Sequence, residues 1–181
     1  ISLIGDKYNT IIDGNGTGAI VQMTVNNTRI TGFTMQNSGL NVKDGAVYIF
    51  SSSGGNHISH NIITGNYRGI YLDGSLNNTI FGNYVTDNFY GIYLYSSSNS
   101  IYGNNITNNE IGIKLEASSN NFIYHNNFIN NTQQAYIIPL GYANFWDDGY
   151  PSGGNYWSDY IGVDQYSGPY QNETGSDGIW D

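Results

Sequence analysis

The 181-residue sequence has no cysteine, three prolines and only five lysine and arginine residues together. Without cysteine there is neither a disulfide nor a thiolate metal site, and the redox compartment stays open. Five basic against fourteen acidic side chains give a formal net charge of −9. Nucleic-acid binding depends on neutralising phosphates with basic side chains, so it is excluded, and anchoring to anionic lipid is disfavoured on the same ground. No apolar run approaches the ~20 residues of a membrane span, so no membrane insertion is expected. Ile1 opens no basic-then-apolar leader; if the protein is exported, its signal has been removed or lies outside this chain. Charged residues supply only 10% of the sequence, and such weakly charged, polar composition borders on low complexity. Regularly spaced Ile, Leu and Val give each segment something to bury, which argues for order.

What is present is a repeat. Segments starting at Ile58, Ile80, Ile101 and Ile123 read ISHNIITGNYRGIYL, IFGNYVTDNFYGIYL, IYGNNITNNEIGIKL and IYHNNFINNTQQAYI. Each follows the last by about 22 residues, a solenoid period. A less regular coil from Ile30 to Ile49 carries an insertion around Gly39 to Asp44, and Leu3 to Val21 supplies one or two coils before it. Ile92 and Leu94 alternate with Tyr93, the period of a strand rather than a helix. The alternation breaks every four to six residues at Asn, Gly or Ser, residues suited to corners. The expected fold is therefore all-β, a right-handed single-stranded parallel β-helix of roughly six coils with three short strands each.

Stacking coils about 4.8 Å apart aligns equivalent residues. Four inner columns follow: Ile58/Ile80/Ile101/Ile123, Ile63/Val85/Ile106/Phe128, Ile70/Ile92/Ile113/Ala135 and Leu72/Leu94/Leu115/Ile137. Two asparagine columns accompany them, Asn61/Asn83/Asn104/Asn126 and Asn66/Asn88/Asn109/Asn131. They are expected at corners, tolerating positive φ and pairing amide to amide between coils, a structural role. Gly69, Gly91 and Gly112 are read as a further corner with no room for a side chain. Repeats are expected over residues 1–141. From 142 to 181 the tail leaves the period and is rich in aromatics, Gly and Asp, with Trp146, Tyr156 and Trp157 as candidates to cover the last coil.

The motif N-x-I-x-x-N-x-I-x-x-N-x-x-G-I-x-L resembles the repeats of NosD-like proteins and of the related carbohydrate-binding and sugar-hydrolysis domains, whose fold is the pectin-lyase-like solenoid. TIIDGNGTG (Thr10 to Gly18) and ITGFTM (Ile30 to Met35) resemble that family's first coils. GGNYWSDYIGVD and GSDGIWD resemble the tail of its archaeal secreted and cell-surface members. The resemblance covers nearly the whole chain, is specific for fold, and implies an extracellular or cell-surface setting and a fragment of a longer protein.

Catalysis finds little support. A lyase of the pectate type needs clustered carboxylates and a basic residue as proton acceptor, yet the only arginines, Arg29 and Arg68, sit beside no acidic cluster. A hydrolase needs convergent acids; Asp147-Asp148 is the only adjacent pair, while Asp13, Asp73, Asp87 and Glu116 are scattered. Copper delivery, implied by NosD itself, has only His57, His60, His125, Met23 and Met35 to draw on. His60 and His125 lie three coils apart, about 14 Å by strand spacing, too far to share one ion. No resident cofactor is expected; calcium is the one candidate, with Asp147, Asp159, Asp164 and Asp177 as ligands near the tail. Tyr48, Tyr71, Tyr93 and Tyr136 form one outward column interrupted by Lys114, and Phe81, Tyr102 and Tyr124 another. Such faces suit sugar rings or a neighbouring protein, as well as simple packing between coils. Six Asn-x-Thr sequons, at Asn15, Asn26, Asn77, Asn105, Asn130 and Asn172, are compatible with a glycosylated exterior. The favoured reading is a non-catalytic surface module with a structural or adhesive role, whose partners are like subunits or other envelope proteins. A polysaccharide-binding module comes second, an enzyme third and copper delivery fourth.

Overall fold

The structure, a computed structural model, describes residues 1–51, 53–96, 98–139, 143–170 and 172–176. Its strands form three parallel sheets. The first stacks Ser2–Ile4, Arg29–Thr31, His57–Ser59, Thr79–Phe81, Ser100–Tyr102 and Phe122–Tyr124 in that order. The second stacks Ile11–Asp13, Thr34–Gln36, Ile62–Thr64, Tyr84–Thr86, Asn105–Thr107, Asn127–Ile129 and finally Tyr156–Trp157. The third stacks Val21–Met23, Val47–Ile49, Arg68–Asp73, Tyr90–Tyr95, Ile111–Glu116 and Gln133–Ile138. One strand per sheet per turn, repeated about six times, is the expected β-solenoid.

The register is the predicted one. Ile80 pairs with Ile58 and Ile101, Val85 with Ile63 and Ile106, Ile92 with Ile70 and Ile113, and Leu94 with Leu72 and Leu115. These side chains are sealed in a continuous core that Ile30, Met35, Val47 and Ile49 extend toward the first turn. Burying one such side chain stabilises by about 1.5–3 kcal/mol relative to exposure.

Three asparagine ladders, not two, line the corners. The additional one, Asn56/Asn78/Asn99/Asn121/Asn144, precedes the strands of the first sheet. In the second ladder the Asn83 amide shows the accounting. Its Oδ1 accepts from the Asn61 Nδ2 (3.0 Å) and backbone N–H (3.1 Å). Its Nδ2 donates to Asn104 Oδ1 (3.0 Å) and to the Ile58 carbonyl (2.9 Å). A fully buried amide is thus satisfied on both sides, as burial demands.

Two expectations about the corners need correction. The ladder asparagines of the repeats do not carry the positive φ; through Asn131 the residue before each does, as at His60, Gly82, Gly103 and His125 ahead of Asn61, Asn83, Asn104 and Asn126. The left-handed residue turns the chain, leaving the asparagine free to bond along the stack. Gly69, Gly91 and Gly112 are not corner residues either. They lie inside buried strands of the third sheet, where a Cβ on Gly69 would stand 2.5 Å from the Gly91 carbonyl oxygen.

The tail, expected to leave the period, carries the stack one partial turn further. Asn144 and Asn155 extend the first two ladders, 23 and 29 residues beyond Asn121 and Asn126. Phe145 bridges to Phe122, and Tyr156–Trp157 pairs with Asn127 and Phe128. The Trp157 ring stacks on Phe128 at 4.4 Å between centroids, with Trp146 tilted against it. These two indoles cover the core; Tyr156 faces outward, half exposed.

Candidate functional site

Three surface features can do more than hold the fold. The first is the outer face of the third sheet. Tyr48, Tyr71 and Tyr93 form the predicted column, with adjacent ring centroids 5.2 and 4.9 Å apart. They are nevertheless buried, at 3%, 7% and 9% exposure, while Tyr136 at the column's end is exposed. Over Tyr71 and Tyr93 lies Arg68. Its guanidinium lies 4.7–5.6 Å from the ring centroids of Tyr67, Tyr71, Tyr90 and Tyr93, a cation–π nest. The insertion at residues 39–44 folds over it, the Asn41 carbonyl accepting from Arg68 Nη1 at 3.0 Å.

The ionisable groups of this belt are occupied with one another. Tyr48 donates to Asp73 (2.9 Å), Tyr93 to Glu116, and Lys114 pairs with Glu116 (2.9 Å) while also donating to the Tyr93 hydroxyl (3.2 Å). Burial pushes the Tyr71 phenol up to about 12, and raises Tyr48 and Tyr93 as well. Desolvation works against the Lys114 charge, but its bonds to Glu116 and Tyr93 outweigh this and raise its pKa. Hydrogen bonds from Lys114 and then Tyr93 hold the Glu116 carboxyl below its usual range. A glycosidase's general acid needs the opposite shift, and phenols held protonated are poor bases. The belt is built to pack.

The second feature is the first-sheet ring column. Phe81, Tyr102 and Tyr124 are half-buried, parallel within 11°, with centroids 5.5 and 5.3 Å apart. His60 meets Phe81 edge-on, and His125 meets Tyr124 in the same way. Both histidines sit at left-handed corners that Gly82 and Gly103 fill in the intervening turns.

The third feature adjoins this column at the covered end. A groove of about 750 Å³ is lined by Trp146, Tyr150, Tyr156, Trp157 and Tyr160, with Asp147 and several glycines. On its rim His125 Nε2 lies 3.0 Å from the Ser152 carbonyl oxygen and 3.1 Å from Ser152 Oγ, and Asp148 Oδ1 lies 3.4 Å away. Ser152 Oγ donates to Asp148 Oδ2 at 2.9 Å. The residue types are those of a hydrolytic triad, but the geometry is not. A carbonyl oxygen only accepts, so Nε2 bears its hydrogen and cannot take the serine proton; the aspartate faces the same nitrogen instead of orienting the other one. The cluster pins the loop around residues 149–153 to the last full turn.

The remaining expected residues are placed as follows. Asp147 and Asp159 are exposed, Asp164 is half-buried, and Asp177 lies outside the described residues. Among the described residues no group of three or more His, Cys, Asp or Glu side chains is placed to hold a metal ion. Met23 and Met35 are core residues with 2% and 0% exposure. The six sequon asparagines are all exposed, in contrast to the buried ladder asparagines. No helix among the described residues is long and apolar enough to cross a membrane.

A family model described as periplasmic copper-binding protein (NosD) matches residues 3–162. The chain belongs to the NosD family. No curated protein and no solved structure matches it. The NosD description names copper, but the described residues of this chain do not fit a copper site: both thioethers are enclosed in the core, and His57, His60 and His125 gather no third ligand. Sequence reasoning missed the groove residues Tyr150, Ser152 and Tyr160, the rim role of His125 and Asp148, and the covering role of Arg68. The composition of the tail was the available signal for the groove. For Arg68 there was none short of the fold.

Proposed function

We propose that this NosD-family chain is a non-catalytic β-helix module of the extracellular or periplasmic space, serving as a rigid structural or adhesive element. The observation that carries this reading is how the polar groups of the repeat are used. Three ladders run through successive turns with their amides bonded to neighbouring turns, and the wall's carboxylates Asp73 and Glu116 are bonded to tyrosines. Such a stack resists bending, and it commits these two carboxylates to packing the wall. Support for the location comes from the periplasmic description of the family. Lateral contacts would come from aromatics that the stack leaves exposed, among them Tyr84, Phe89, Tyr95 and Phe122, which are apolar enough to bind like subunits or other envelope proteins.

Sedimentation velocity over a concentration series tests the self-associating form of this role. The expected result is a rising sedimentation coefficient that the double variant Phe89→Ser, Phe122→Ser abolishes. A monomer at every concentration contradicts it.

A further inference from the structure

We propose that the groove at the covered end binds a small organic cation bearing a methylated ammonium group, held by aromatic side chains and nearby carboxylates. This goes beyond the structural role, and a monomer carries it unchanged.

The walls are aromatic and in place before a ligand arrives. Trp146 and Trp157 seal the core on one side and line the groove on the other. Tyr150, Tyr156 and Tyr160, which also line it, are 48%, 51% and 42% exposed, far more than sealing requires. Two of these walls are fixed by their surroundings. The loop carrying Tyr150 is held through Ser152 by His125 and Asp148. The Tyr160 ring lies against the backbone of Gly162, where a Cβ would come within 2.2 Å of it, an approach that only glycine allows. The volume of about 750 Å³ suits a small-molecule ligand.

Charge gives the sign of that ligand. Residues 142–181 contain half of the chain's fourteen acidic side chains and no lysine or arginine. Asp147 lines the groove and Asp148 stands on its rim, with His125 as the titratable base beside it. A third carboxylate lies against the wall at Gly168, where a Cβ would stand 3.2 Å from Glu173. An anion entering here meets carboxylates on a chain of net charge −9, whereas a cation is drawn in.

The kind of cation follows from how the acids are placed. Among the described residues no three His, Cys, Asp or Glu side chains are placed to hold a metal ion, so the negative charge is spread around the rings. Two of the carboxylates already accept hydrogen bonds, Asp147 from the Gly149 N–H (3.0 Å) and Asp148 from Ser152 Oγ (2.9 Å). A primary ammonium brings three donors that need partners on leaving water. A fully methylated ammonium brings none. It can settle its diffuse charge over tyrosine and tryptophan rings, with the carboxylates supplying attraction at a distance.

The test is titration calorimetry of the intact chain with choline, benzyltrimethylammonium, phosphocholine and dimethylbutanol, the neutral carbon isostere of choline. Choline and benzyltrimethylammonium bind, and dimethylbutanol and phosphocholine bind at least about tenfold more weakly than choline. Tyr150→Leu, which keeps apolar bulk but removes the ring, weakens choline by about fivefold, while Tyr150→Phe retains it. Asp147→Asn weakens choline and leaves dimethylbutanol unchanged. Thermal unfolding of each variant checks that the covering turn persists. No binding by either quaternary cation, equal binding of dimethylbutanol, tighter binding of phosphocholine, or indifference to Tyr150→Leu overturns the proposal.

Discussion

Neighbouring asparagines in this chain have opposite meanings. Asn104 is fully buried and bonded to Asn83, Asn126 and the Ile80 carbonyl, whereas Asn105 is exposed. Replacing Asn104 with Leu strands donors on the turn below and an amide on the turn above, so urea unfolding should show a loss of about 3 kcal/mol. Asn105→Ala should change stability by no more than about 0.5 kcal/mol. Equal effects of the two would mean that the ladder is not what holds the stack. His60 offers a second contrast. Its φ is 55°, so His60→Val should cost about 1–2 kcal/mol, a β-branched residue being poorly tolerated there, while His60→Gly should be nearly neutral. A loss with glycine as large as with valine would point to a role for the ring itself. The third ladder was written in the repeat motif, where Asn56, Asn78, Asn99 and Asn121 stand two residues before the inner isoleucines, the same offset as Asn61, Asn83, Asn104 and Asn126. It was legible and went untallied.

Among the elements, the third sheet shows most clearly where sequence reasoning stops. Strand alternation places Tyr48, Tyr71 and Tyr93 outside the solenoid, and they are outside it. Whether an outward side chain is exposed depends on what lies over it, here Arg68 and the loop at residues 39–44, contacts that no local pattern encodes. Burial of these phenols has a consequence in alkali. A folded-state pKa raised above the unfolded value of 10 stabilises the fold fully below pH 10, and that stability is lost as the pH rises through the folded value, about 12 for Tyr71. Chemical denaturation should therefore weaken between pH 10 and 12, with tyrosinate absorbance lagging in the folded chain. Phenols that all titrate near 10 in the native state would show the belt to be open to solvent. Glu116 has the opposite sign: its carboxyl is held low, so its contribution is present above the usual carboxylate range and disappears as the pH falls through the folded value.

For the molecule as a whole, the period made the fold readable, because a residue's neighbours lie one turn away and the sequence states them directly. The tail was harder. Its ladder asparagines return after 23 and 29 residues instead of 21 or 22, so the eye loses the period at the point where the structure keeps it. Trp157→Ala should open the last turn before the rest, since each turn of a solenoid is supported mainly by its neighbours. Hydrogen exchange should quicken around Asn127–Ile129 and leave Ile62–Thr64 protected. The claim that most needs testing is that the rigid stack is itself the function. Electron microscopy of the purified chain, at low and high calcium, tests it most directly. Ordered filaments or sheets, with aromatic wall residues at the contacts, are the predicted result. Dispersed single particles under both conditions would contradict a self-assembling role.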